Sequence, residues 1–92
     1  MSARTYESSV VAGPGGVMTD EVGVITGEVT VRTEVTGGQA TVHIQYLDAD
    51  EWYEIEGSPL GPVDPGPHLH QEIVQAVRQG MPDGLTAFHP AT

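Results

Sequence analysis

The feature that most constrains the fold is a run of alternating residues between positions 28 and 56. Val29, Val31, Thr33 and Val35 alternate with more polar residues, as in a strand with one buried face. Segments 41–46 and 52–56 repeat this alternation, and the segments between the three runs have turn-forming compositions. The stretch therefore predicts three antiparallel strands joined by two hairpins.

A single register satisfies both hairpins when each turn is treated as a four-residue loop. A slip of one residue in either hairpin would mix apolar and polar faces, so this agreement supports the pairing. The predicted apolar rows are Val29–Tyr46–Tyr53 and Val31–Ile44–Ile55. The predicted rows of the opposite face are Glu28–Leu47–Trp52, Thr30–Gln45–Glu54 and Arg32–His43–Glu56.

A helix is predicted from Pro67 to Gln79. Proline is favoured at the first helical position, and Gly80 suits the position just past the end. The apolar residues at helical spacing share one face, which must dock on the sheet because so short a helix is marginal alone. These residues are Leu69, Ile73, Ala76 and Val77, with Val74 at the margin and His70 within the arc.

The first 27 residues give a weaker pattern. Segment 4–12 is a candidate strand, but Ser8 and Ser9 interrupt its alternation. Segment 17–26 looks extended, and Thr26-Gly27 is either a bulge or a two-residue turn. The turn is the preferred interpretation, and it pairs segment 17–26 with the strand beginning at Glu28. Segment 57–66 is rich in glycine and proline and is expected to be a crossover loop.

Together these patterns predict one α+β domain spanning residues 1–92. Its architecture is an antiparallel β-meander of three to five strands with one C-terminal α-helix packed on one face, and both chain ends are expected to be loose. No apolar run approaches the roughly 20 residues of a membrane span, and no signal pattern begins the chain. We therefore expect a soluble cytoplasmic protein. A short meander leaves open edges, so self-association through a sheet edge or face is also expected.

The charge balance is strongly acidic. Thirteen acidic residues stand against three arginines, and the net charge is −10. Direct nucleic-acid binding and attraction to anionic membranes both need cationic surface, so both are disfavoured. The charge can serve solubility alone, or it can favour a basic protein partner.

Several candidate chemistries fail on spacing. On a helix His68 and His70 point about 200° apart, and His68 with Glu72 supplies only two ligands, so no metal is expected. The acidic segment 48–51 lacks the later glycine and glutamate of a calcium loop. No cysteine, serine elbow, phosphate loop or dinucleotide fingerprint is present, so no cofactor is expected.

The predicted functional surface is the solvent face of the sheet around Trp52. An apolar anchor ringed by charge is typical of protein contact sites. The alternatives are that the charged row only stabilises the sheet, or that the N-terminus or the tail with Phe88 covers Trp52. The predicted binding residues are Trp52, Leu47, Glu54, Glu56, Glu28, Arg32 and His43.

The sequence therefore favours a non-catalytic interaction module, such as an inhibitor, an immunity-type protein or an accessory protein. It would bind a basic partner surface, and one variant is a DNA mimic that presents ordered carboxylates. The alternative is a small hydrolase or metal-dependent enzyme using histidine and carboxylate residues. A filled core in 92 residues leaves little room for a concave pocket, which disfavours the enzyme.

Overall fold

The computed structural model of the protein describes residues 3–63 and 66–88. The chain forms an α+β fold with an antiparallel four-stranded sheet, a second, two-stranded sheet and one α-helix that packs against the four-stranded sheet, so the predicted fold class is confirmed. The expectation of loose ends falls largely outside the described residues, at Met1–Ser2 and beyond Phe88. In chain order the elements are β1 (Arg4–Val11), β2 (Val17–Thr19), β3 (Gly23–Ile25), β4 (Glu28–Thr36), β5 (Gln39–Tyr46), β6 (Tyr53–Glu54), α1 (Pro67–Gln79) and a 3₁₀ turn (Gly84–Ala87).

The hairpin of β4 and β5 has the predicted register. Val29 faces Tyr46 and Val31 faces Ile44, and the pairing continues to Thr36 opposite Gln39. The inward-facing residues of both strands are buried, as the alternation requires, except Tyr46 at the end of β5, which is 40% exposed although the sequence places it in an apolar row. This hairpin forms the centre of the four-stranded sheet, whose order is β1-β4-β5-β6.

The predicted register of the second hairpin is wrong by two residues. Tyr53 faces Ile44 rather than Tyr46, and the Ile55 amide donates to the Val42 carbonyl at 3.0 Å. β5 ends at Tyr46 and β6 begins at Tyr53, so the connecting loop has six residues rather than four. A shift of two keeps every side chain on its predicted face, which is why alternation alone cannot detect it.

The predicted neighbour of β4 is also wrong. β1, not β3, pairs with β4, with Val10 opposite Val29 and Ser8 opposite Val31. β3 instead pairs with β2 in a separate hairpin, and Val22 and Val24 are exposed. Eight residue pairs form between β1 and β4, whereas β3 is only three residues long, so β1 offers β4 far more hydrogen bonding.

The helix lies where the sequence predicts it, from Pro67 to Gln79, and Gly80 ends it by donating to the carbonyls of Ala76 and Val77. Leu69, Ile73 and Val77 are buried against the inner face of the sheet. They belong to a single cluster that includes buried apolar residues from each of β1 to β5, and Tyr53 of β6 packs against it. Ile55, just beyond β6, completes this cluster. No helix within the described ranges combines the length and apolarity that a membrane span needs.

The end of α1 is fixed by a close approach of two loops. The Gly13 amide donates to the Val77 carbonyl at 2.9 Å, so the chain leaving β1 runs directly over the helix end. A side chain at Gly13 would collide with the backbone from Arg78 to Gly80. Gly80 has a φ of 102°, and a side chain there would collide with the Pro14 carbonyl. Glycine at both positions is thus what lets the helix dock.

Candidate functional site

One face of the four-stranded sheet carries the core and the opposite face is left uncovered by α1. We call the second the open face. It consists of the outward-alternating residues of β1, β4, β5 and β6, together with Leu47 and Trp52 at its rim. Its acidic members are Glu7, Glu28, Glu34 and Glu54, and Arg32 is the one lysine or arginine among its described residues.

A charged row crosses all four strands of the open face. Glu7 of β1 faces Arg32 of β4, which faces His43 of β5, which faces Glu54 of β6. The Arg32 Nε donates to the Glu7 carboxylate at 2.8 Å. The predicted contact of Arg32 with His43 is present, but the predicted third member, Glu56, is wrong, because the two-residue shift puts Glu54 there.

Arg32 also covers Trp52. The guanidinium carbon lies 4.0 Å from the centroid of the indole ring, in cation–π geometry. Trp52 is consequently half-buried by a residue of the sheet itself. The two covers considered from the sequence are not those observed: the N-terminal segment is strand β1 at the far edge, and Phe88 packs against the core.

Leu47 and Glu28 lie together at one end of the open face. The Leu47 amide donates to the Glu28 carbonyl at 3.1 Å, and 42% of Leu47 is exposed. Val11 faces Glu28 from the other side and is 59% exposed. The sequence analysis missed Val11 because it did not pair β1 with β4. Two exposed aliphatic side chains thus flank one carboxylate, with Trp52 further along the face.

Glu56 lies outside this arrangement. Its amide donates to the Met18 carbonyl at 3.0 Å, and its carbonyl accepts from the Leu85 amide at 2.6 Å. These bonds hold the Glu56 backbone between β2 and the 3₁₀ turn. The structure therefore brings together six of the seven predicted binding residues on or beside the open face, and separates Glu56 from its predicted partners.

A second polar cluster is buried beneath the helix. The His70 Nε2 lies 2.8 Å from the Ser8 hydroxyl, and its Nδ1 lies 2.8 Å from the Thr33 hydroxyl. The ring stacks on Tyr6 with centroids 5.8 Å apart, and His70 is 5% exposed. Burial lowers the pKa of His70 below its ordinary value. His70 is therefore a hydrogen-bonded core residue that ties α1 to β1 and β4.

The Ser8–His70 contact resembles the nucleophile and base of an acyl-transfer enzyme, but the surroundings differ. A threonine hydroxyl, not a carboxylate, contacts the second ring nitrogen, so the two ring nitrogens are bonded to neutral hydroxyl groups. A groove with a volume of about 560 Å³ lies elsewhere, between α1 and segment 80–88. Ser8, Thr33 and His70 do not line it.

That groove corrects the expectation that so short a chain leaves little room for a pocket. It is lined by the glutamines of α1, by Glu72 and Asp83, and by Met81, Pro82 and Phe88. The His68 Nε2 lies 3.6 Å from the Glu72 carboxylate, the i to i+4 contact foreseen for this pair. Among residues 3–63 and 66–88, no group of three or more histidines and carboxylates is arranged to hold a metal ion.

Comparison with protein-family models, with curated protein sequences and with solved structures yields no match.

Proposed function

We propose that the protein is a small non-catalytic interaction module that binds a basic protein surface through the open face. The observation that carries this proposal is the charge of that face. Four glutamates stand on it, and its single arginine is already engaged by Glu7 and Trp52. The uncompensated carboxylates favour a cationic partner and would steer it to the face over distance.

The apolar side chains of the face supply the second element of such a site. Leu47 and Val11 are exposed beside Glu28, and Trp52 is half-buried against the Arg32 guanidinium. Aromatic and aliphatic anchors surrounded by charge are the usual anatomy of a protein contact. An inhibitor, an immunity-type protein, an accessory protein or a DNA mimic would each use such a face. The predicted cytoplasmic location belongs to the same proposal.

The test compares two variants with the same change in net charge. Glu28→Gln with Glu34→Gln removes two carboxylates from the open face, and Asp48→Asn with Asp83→Asn removes two exposed carboxylates outside the strands. Asparagine suits position 48 because Asp48 has a φ of 65°. Each immobilised variant is used to capture proteins from lysate of the source cells in low and high salt.

The open-face pair should lose the proteins that the parent chain retains in low salt, and the loop pair should keep them. High salt should release them from the parent chain, because exposed charge contacts are screened. Equal retention by both pairs would contradict the proposal. Salt-resistant retention that Trp52→Ala does not alter would place the contact on another surface.

A further inference from the structure

The two outer edges of the four-stranded sheet are treated differently. The β6 edge is closed by β2 and the turn that follows it. The Asp20 amide donates to the Glu54 carbonyl at 2.9 Å, and the Glu21 carboxylate accepts from the Glu54 amide at 3.0 Å. Thr19 forms a bridge with Ile55, which continues this cover.

The β1 edge has no such cover within the described residues, because β1 ends the strand order. The Ala12 amide donates to the Gly27 carbonyl, which places residue 12 in a hydrogen-bonded pair. Hydrogen-bonded and non-hydrogen-bonded pairs alternate along an antiparallel ladder. The even-numbered residues of β1 therefore bond to β4. The outward amides and carbonyls belong to Thr5, Glu7, Ser9 and Val11.

β1 lacks the bulge, the proline and the lysine that protect many edge strands, and its charged residues are Arg4 at its start and Glu7, which is paired with Arg32. It is eight residues long and unbroken in register from Arg4 to Val11, so it contains no bulge. It contains no proline and no lysine. A long, regular and unprotected edge is a template for another strand.

We propose that β1 is a homodimerisation edge, along which two copies of the chain pair their β1 strands antiparallel about Ser8. This inference goes beyond the proposed function and is independent of the partner that the open face binds. It would join the two sheets into one continuous sheet and place two open faces side by side.

The residues of β1 select this register. When the pairing is centred on Ser8, Glu7 faces Ser9 of the second copy and Thr5 faces Val11. All four outward residues of β1 then have partners. Each such pair forms two backbone hydrogen bonds. On the inner face, Tyr6 would lie against Val10, an aromatic and β-branched pair of the kind that stabilises sheets.

The neighbouring registers are poorer. Centring the pair on Glu7 sets two glutamates directly opposite each other, which destabilises a sheet. Centring it on Ser9 leaves Thr5 without a partner and sets Glu7 against Val11. Only the Ser8 register combines full pairing with no like-charge contact.

The test rests on Ser9→Pro. Proline removes the Ser9 amide hydrogen, which points outward, so the ladder to β4 keeps its bonds. Ser9→Ala is the matched control, since it changes the side chain and keeps the amide. Sedimentation equilibrium should show a two-chain species for the parent chain and Ser9→Ala, and at least tenfold weaker association for Ser9→Pro. Because each copy carries a charge of −10, added salt should strengthen the association.

A measurement on the unaltered chain guards against misfolding of the proline variant. Amide hydrogen exchange of Thr5, Glu7, Ser9 and Val11 should slow as protein concentration rises, while exchange in the β4–β5 hairpin should not change. A parent chain that sediments as a 9.7 kDa species at all concentrations and salts would overturn the proposal. So would a dimer that Ser9→Pro leaves intact, or one whose outward β1 amides stay unprotected.

Discussion

The guanidinium of Arg32 lies between two residues of the open face, bonded to Glu7 and stacked on Trp52, 4.0 Å from the centre of its ring. Arg32 sits on β4, Glu7 on β1, and Trp52 just before β6. One side chain thus links the two edge strands across the face. The positive charge of Arg32 is engaged by these two contacts, so the remaining glutamates determine the electrostatic potential of the open face.

Trp52→Ala should abolish binding to the partner while the fold survives. Loss of the cation–π contact and of some apolar packing should cost about 1 kcal/mol in the free energy of unfolding. Leu47→Ala, at the exposed end of the same face, should cost about 0.5 kcal/mol or less. Urea denaturation measures both, and amide NMR spectra report the fold. If Trp52→Ala unfolds the domain, the residue belongs to the core and the proposed site is wrong.

Acidification should weaken the fold through His70. Burial lowers its pKa in the folded state, and its place in the first turn of α1 also disfavours a positive charge. The unfolded chain, with a histidine pKa of about 6.5, then binds the proton more readily than the folded chain. The contribution of neutral His70 to the free energy of unfolding is fully present above the unfolded-state pKa of about 6.5. It is lost as the pH falls from that value through the lowered pKa of the folded state.

The hydrogen bonds of His70 do not by themselves oppose its protonation. Both partners are hydroxyls, which can accept from the ring as well as donate to it. Because burial disfavours the charged ring, an NMR titration of His70 should give a midpoint below the ordinary value of about 6.5. His43→Gln, on the open face, should keep this part of the acid dependence, and His70→Leu should lose it. A His70 midpoint at or above the ordinary value would contradict the assignment.

Gly13→Ala should be among the most damaging single substitutions in the chain. Its Cβ would lie 2.6 Å from the Gln79 carbonyl carbon and 2.7 Å from the Gly80 nitrogen, so the helix end must move. We expect a loss of about 3 kcal/mol or more in thermal or urea unfolding. Gly66→Ala is the control, because nothing lies within 4 Å of a Cβ there. Since Gly66 caps the start of α1, this change should cost about 1 kcal/mol or less. Similar losses for both would show that the loop contact at Gly13 yields easily.

The sequence predicts the strands and the helix of this fold better than it predicts which strands pair and in which register. Local signals define α1, since Pro67, Gly80 and the apolar spacing all act within the segment. The β4–β5 register is equally local, because a short loop ties the two strands. The β5–β6 register fails because alternation repeats every two residues, and a shift of two leaves each face unchanged.

The missed pairing of β1 has a specific physical cause. Its inward positions include Tyr6 and Ser8, whose polar groups made the alternation look poor. Ser8 is tolerated there because its hydroxyl forms a hydrogen bond with His70, 62 residues later in the chain. Such compensation is visible only once the helix is docked. The candidate site divides in the same way. The places of Arg32, His43 and Glu28 follow from the β4–β5 hairpin, which the sequence predicts. The places of Val11 and Glu54 depend on strand pairings that the sequence does not predict.

The stacking of Arg32 on Trp52 also makes the open face observable without a label. Trp52 is the chain's sole tryptophan. Excitation at wavelengths that tyrosine does not absorb therefore reports on one indole, at the rim of this face. A partner that displaces the guanidinium or shields the ring changes its emission, whereas events at the buried His70 lie on the opposite side of the sheet. The protein thus carries a built-in optical reporter at the surface where its partner is expected.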